Sequence, residues 1–189
     1  MQKTKMAIGA AVALLTLASF KAASDEVSNR SIVTLDQIAE MKKEEDSKCL
    51  AEALIFEAGN QPIVGKLAVA EVILNRMRSK RYPNSICEVV HEGPTYKWFE
   101  DVHNKIVPVK NRCQFSYYCD GKSDDLTPFY RTKTWDDVTK VVVYMMHRSS
   151  PYISNLLDGA THYHADYVDP KWSRTLTKVV QIDNHIFYK

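Results

Sequence analysis

An α+β chain is what the sequence predicts, on three observations. Cys49 to Met77 has the pattern of two helices broken at Gly59-Asn60-Gln61-Pro62, with Leu50, Ala53, Leu54 and Glu57 at i, i+3, i+4 and i+7. Trp135 to Arg148 has the pattern of another, with Val138, Val141, Val142 and Met145 on one face. Short alternating segments, Cys113–Gly121 and Gly159–Val168, and a turn within Ile182–Ile186 supply strands. The 189 residues, 45% apolar and 25% charged, suit one domain with a proper core.

At the N-terminus, Lys3 and Lys5 precede an uncharged run from Met6 to Phe20, followed by small residues and then Asp25 and Glu26. That is the order of a secretory signal. The run is shorter than the roughly twenty residues of a membrane span. Cleavage after Ser24, with Ala22 at −3, fits best. Residues 1–24 are therefore expected to be a signal peptide or a weak membrane anchor, with any membrane association through residues 6–20. The remainder is expected to be exported to the periplasm or cell wall, as a monomer. The net charge of +2 is small and spread out, so no nucleic-acid footprint exists. Four cysteines in an exported chain suggest two disulfides, and three connectivities are open. Cys113 with Cys119 would close a tight hairpin-like loop and leave Cys49 with Cys87, which is the preferred pairing. A zinc site is the rival, but no C-x-x-C spacing supports it.

Taken in order, residues 25–48 form a linker with a short helix (Ile32, Val33, Leu35, Ile38 and Met41), and the charge run Lys42–Lys48 is a solvated face. Gly59 is expected as the C′ residue of the helix carrying Glu57, and Pro62 as N1 of the next. Glu57 then lies in a last helical turn, where the macrodipole and partial burial both push a carboxyl pKa upward. A general acid needs such a group, although an acid that simply finds a partner at a helix end fits the same pattern. Pro62 to Met77 is apolar nearly all round and should be buried. Glu71 is a second buried acid there, with Arg76, Arg78 or Lys80 as expected partner. Ser79–Asn84 is a basic turn, Ile86–His91 a short helix or strand, and Gly93–Lys110 an irregular loop. Its Tyr96, Trp98 and Phe99 could stack on a sugar or cover the core. In CQFSYYCDG, Gln114, Ser116 and Tyr118 face one way and Phe115 and Tyr117 the other, with a turn at Asp120-Gly121. Thr134 is expected to cap the Trp135 helix. His162 and His164 share a strand face.

FEAGNQPIVGKLAVAEVILNRM, YPNSICEVV, CQFSYYCDG, GATHYHADYVDPKW and IDNHIFYK, in that order, resemble the cell-wall hydrolase family of the spore cortex-lytic enzyme SleB. The resemblance implies a lysozyme-like, lytic-transglycosylase-like single domain over residues 49–189, with helices around a small antiparallel sheet. It implies action on peptidoglycan glycan strands; no cofactor and no metal are expected, and the short Ala-rich N-terminal segment suits a phage endolysin as well as a bacterium's own wall-remodelling enzyme. Glu57 matches the family's catalytic glutamate, although Glu-Ala-Gly-Asn stands where Glu-Ala-Arg-Gly is common. Gln114, Ser116, Tyr163 and His164 are the candidate substrate-binding residues.

Such chemistry needs an acid to protonate the leaving oxygen of the β-1,4 bond. Hydrolysis also needs a second carboxylate, for which Glu71, Asp120 and Asp166 are the candidates. A lytic transglycosylase needs none, because the muramic 6-hydroxyl attacks its own anomeric carbon and the same glutamate takes that proton. This route is expected, with muramidase-type hydrolysis as the alternative. A zinc amidase would use His162 and His164 with Glu57, Asp166 or His185. A wall-binding module without catalysis is a further alternative.

Overall fold

The computed structural model describes residues 35–147 and 156–189. The expected leader, the start of the linker and Arg148 lie outside these residues. The chain divides into Met1–Glu40, whose described part is helical, and Met41–Lys189, which holds the core. Among the described residues no helix is long and apolar enough to cross a membrane.

Helix α1 (Leu35–Ala58) is one continuous helix rather than a short helix, a charged stretch and a second helix. Most of its Lys42–Lys48 segment is exposed or half-buried, as a solvated face should be. Asp46 does more. Its Oδ1 accepts the backbone N–H groups of Ile86 (3.0 Å) and Cys87 (3.3 Å), which satisfies otherwise unpaired donors at the start of α3 (Ile86–Val90). The Cys49–Cys87 disulfide joins the same two helices.

Helix α2 (Ile63–Arg78) is the centre of the domain. Ala68, Val69, Ala70, Val72 and Ile73 are fully buried, as a helix apolar all round should be. It packs against α3, against α5 (Lys133–His147) and against the sheet. Removing each large side chain of this core from water is worth about 1.5–3 kcal/mol. The corner before α2 departs in detail from expectation. Gly59 is not left-handed; a Cβ there would lie 2.4 Å from the Ile55 carbonyl oxygen, so glycine is needed for close approach. Pro62 is the N-cap, not N1.

Three strands, β1 (His162–Ala165), β2 (Lys178–Ile182) and β3 (His185–Tyr188), make an antiparallel sheet in the order β1-β3-β2. Ile182 pairs with His185 across the expected Asp183-Asn184 turn, with Asp183 at φ 50°. Helices around a small antiparallel sheet are thus the observed architecture.

Three further expectations are corrected. Cys113–Gly121 is not a strand: Ser116–Cys119 is a 3-10 helix. A strand rises about 3.3 Å per residue, so six residues would separate its ends by about 20 Å. The Cys113–Cys119 disulfide holds the two Cα atoms 6.1 Å apart, which an extended segment cannot satisfy. The alternation in facing nevertheless survives, with Gln114 and Ser116 exposed and Phe115 and Tyr117 buried. The irregular loop contains a helix, α4 (Lys97–His103), with no buried residue, so Trp98 does not cover the core. Thr134 lies inside α5; the cap is Thr132, whose Oγ1 accepts Trp135 N–H at 3.2 Å. Glu71 is buried as expected, and its Oε1 accepts Leu157 N–H at 3.2 Å.

Candidate active site

Glu57 lies one residue before the end of α1, one turn beyond the buried Ala53 and Leu54. Its carboxyl sits above the ordinary carboxylate range, and burial is the main cause. Three contacts oppose burial: Tyr163 Oη–H donates to Oε2 at 2.9 Å, the Arg76 guanidinium is near in charge, and the Ser116 backbone N–H donates. Tyr163 comes from β1 and shares its face with Phe187 and His185, because Tyr163 pairs with Phe187 and Ala165 with His185. Burial first, and Glu57 second, keep the Tyr163 hydroxyl protonated far above its usual range, so it is a fixed donor.

One cavity of about 330 Å³ brings all five expected site residues together: Glu57, Gln114, Ser116, Tyr163 and His164 line it. Arg76 and His185 line it too. Neither was assigned to the glutamate from the sequence. Arg76 could have been found by spacing, since it follows Val72 by four and Ile73 by three and so continues the buried stripe of α2. It is held there by Nε–H donation to Thr161 O at 2.8 Å and by the Phe115 and Tyr82 rings.

A second cavity of about 300 Å³ shares Phe56, Glu57 and Ser116 with the first and adds Asp120 and Asp124. Asp120 accepts Lys122 N–H at 2.7 Å, and hydrogen bonding to Lys122 holds it below the usual range. Asp124 moves upward, by burial and by Glu52 and Asp120. Asp166 is exposed and lines neither cavity.

Cell Wall Hydrolase is the family whose profile matches residues 60–188, about two thirds of the chain. The chain belongs to that family. In this cell wall hydrolase the matched stretch opens at Asn60, just past Glu57, and includes Arg76, Gln114, Ser116, Tyr163, His164 and His185. The spore cortex-lytic enzyme of Bacillus subtilis is 45% identical over 47 residues, 25% of this chain and 15% of that protein. That of Bacillus cereus is 24% identical over 144 residues, 76% of this chain and 44% of the relative. The matches thus span less than half the length of these curated relatives. The solved catalytic domain of the Bacillus cereus SleB protein overlays with a TM-score of 0.48 at 24% identity, covering 77% of this chain and 91% of that one.

The histidines of the HYH block stand apart from Tyr163. His162 and His164 face Trp172, with ring centroids 5.3 and 5.5 Å away. The ring nitrogens of His164 meet Ala165 O (2.9 Å) and Tyr188 Oη (3.0 Å). Among the described residues no three of His, Cys, Asp and Glu stand where they could hold a metal ion.

Proposed function

We propose that this cell wall hydrolase cleaves the β-1,4 bond between N-acetylmuramic acid and N-acetylglucosamine in peptidoglycan as a lytic transglycosylase. The observation that carries this is Glu57: one carboxyl, raised by burial yet contacted by donors that favour its charged form. Raised, it holds the proton that the leaving oxygen needs. Once it has given that proton, Tyr163, the Ser116 N–H and the Arg76 charge stabilise the carboxylate, which then takes the proton of the muramic 6-hydroxyl. The anomeric bond to the leaving oxygen breaks, the bond to the muramic O6 forms, and a 1,6-anhydro end results. Two cavities that share Glu57 suit a glycan running past it on both sides.

Muramidase-type hydrolysis has one observation in its favour, the presence of Asp120 and Asp124 in the second cavity with Glu57. A zinc amidase has less support, because His164 spends both ring nitrogens on protein partners. Export by the residue 1–24 segment and action at the wall outside the cytoplasm, as a monomer over residues 49–189, belong to the same proposal. Mass spectrometry of digested peptidoglycan tests it. Anhydro-muramic ends are expected; reducing muramic ends would replace transglycosylation by hydrolysis, and free stem peptides would sink both.

A further inference from the structure

A third cavity, of about 430 Å³, opens beside the end of α1, and the proposed reaction does not use it. Ile55, Phe56, Gly59, Asn60, Phe129 and Thr134 line it. Of these only Phe56 also lines the two cavities that hold Glu57. The Phe56 ring is fixed there, stacked on Tyr117 (5.0 Å between centroids) and met edge-on by Phe129 (5.9 Å). The volume falls within the ~300–1,000 Å³ of ligand sites. Ile55, Phe56 and Phe129 make its walls largely apolar and, among the described residues, no lining side chain is charged. Two polar groups remain. Asn60 Oδ1 accepts Gln61 Nε2–H at 3.2 Å, so the side chain offers a ligand chiefly its Nδ2–H donors. Thr134 Oγ1 lies 3.5 Å from Gly59 O, a long contact that leaves the hydroxyl able to accept. A Cβ on residue 59 would come within 3.5 Å of Thr134 Cγ2, so the bare glycine keeps this end of the cavity open.

We infer that this cavity holds the stem peptide of the substrate, taking the L-alanine on the muramic lactyl group and the amide bonds on either side of it. The inference rests on the proposed action on peptidoglycan and names a part of the substrate that the cleavage step does not touch. A glycan strand is linear, and the two cavities sharing Phe56, Glu57 and Ser116 suit its path. The peptide is the branch, leaving the strand at the 3-oxygen of muramic acid. A cavity that meets the path at Phe56 alone is placed for a branch rather than for another sugar. The chemistry matches. An alanine methyl packs against Phe56 and Phe129. One amide oxygen accepts from Asn60 Nδ2–H, and one amide N–H donates to Thr134 Oγ1. The charged residues further along the peptide fall outside a cavity that has no charge to meet them.

The test compares uncross-linked peptidoglycan strands that keep their stem peptides with the same strands stripped by an amidase. Formation of new sugar ends is followed as kcat/KM. Stripped strands should be cut at least about tenfold less efficiently, with the loss mainly in KM, because the peptide does not touch the reacting atoms. Asn60→Ala should lower kcat/KM about fivefold on peptide-bearing strands and leave that on stripped strands within about twofold. Thermal unfolding accompanies the variant, and if Asn60→Ala does not fold, Phe129→Leu carries the same comparison. Equal rates on the two substrates would overturn the inference. An equal loss on both substrates in Asn60→Ala would overturn it too, in favour of a sugar subsite. Reducing rather than anhydro ends would overturn the proposed transglycosylation, and the ratio between the two substrates would still read the stem-peptide assignment.

Discussion

On the α1 side of Glu57 the surroundings are dry: Leu50, Ala53 and Leu54 are fully buried in the core that α2 completes. On the opposite side the Cys113–Cys119 loop keeps Gln114 and Ser116 exposed between buried Phe115 and Tyr117 and turns the Ser116 N–H toward the carboxyl. The first region raises the pKa by removing water; the second lowers it by hydrogen bonding. Each region has its own disulfide, Cys49–Cys87 on the helices and Cys113–Cys119 on the loop. Stability and tuning are thus divided between two parts of one site and should be separable by mutation.

The largest effect is expected from removing the group on which both regions act. Glu57→Gln should lower the rate of wall clearance by about 10²–10⁴-fold. It should also stabilise the fold at neutral pH. A carboxyl whose folded pKa is raised above its ordinary 4.5 makes the native state less stable as pH rises from 4.5 through the raised value. Melting curves should therefore show the variant ahead of wild type near pH 7 and level with it near pH 4. Removing each disulfide should split the two roles. Replacing Cys49 and Cys87 by alanine opens a loop of separation 38 and should cost about 4 kcal/mol. Replacing Cys113 and Cys119 opens one of separation 6 and should cost only about 2 kcal/mol. The second pair should nevertheless lose more activity per molecule still folded, at least about tenfold, because Ser116 is no longer held.

The two regions differ in how far the sequence reveals them. The dry region was readable, since Leu50, Ala53, Leu54 and the Val138–Met145 stripe show a 3.6-residue period that survives in any compact fold. The tuning region was not, for two physical reasons. A six-residue disulfide loop overrides the alternation of Gln114 to Tyr117, so an apparent strand becomes a 3-10 turn. Arg76 and His185 reach the Glu57 cavity only through tertiary packing of α2 and β3, and local pattern carries no record of that. Tyr163 is legible as a strand residue, and so is the face shared by His162 and His164, which meets Trp172.

Smaller effects are expected from the groups that contact Glu57 or share its second cavity. Tyr163→Phe should lower activity about tenfold. Because the Tyr163 bond lowers the Glu57 pKa, its loss should also move the alkaline limb of the pH–rate profile upward. A downward move would mean that Tyr163 acts on another group. Asp124→Asn should change activity by less than about threefold if Glu57 works alone, whereas a loss beyond about a hundredfold would install Asp124 as the second carboxylate of a hydrolase.

The most direct measurement is the titration of the Glu57 carboxyl itself, by NMR of carbon-labelled glutamate with Glu57→Gln to assign the signal. The expected result is a midpoint above 4.5 that rises further in Tyr163→Phe. A midpoint at or below 4.5 would leave Glu57 ionised at neutral pH and contradict its role as the acid.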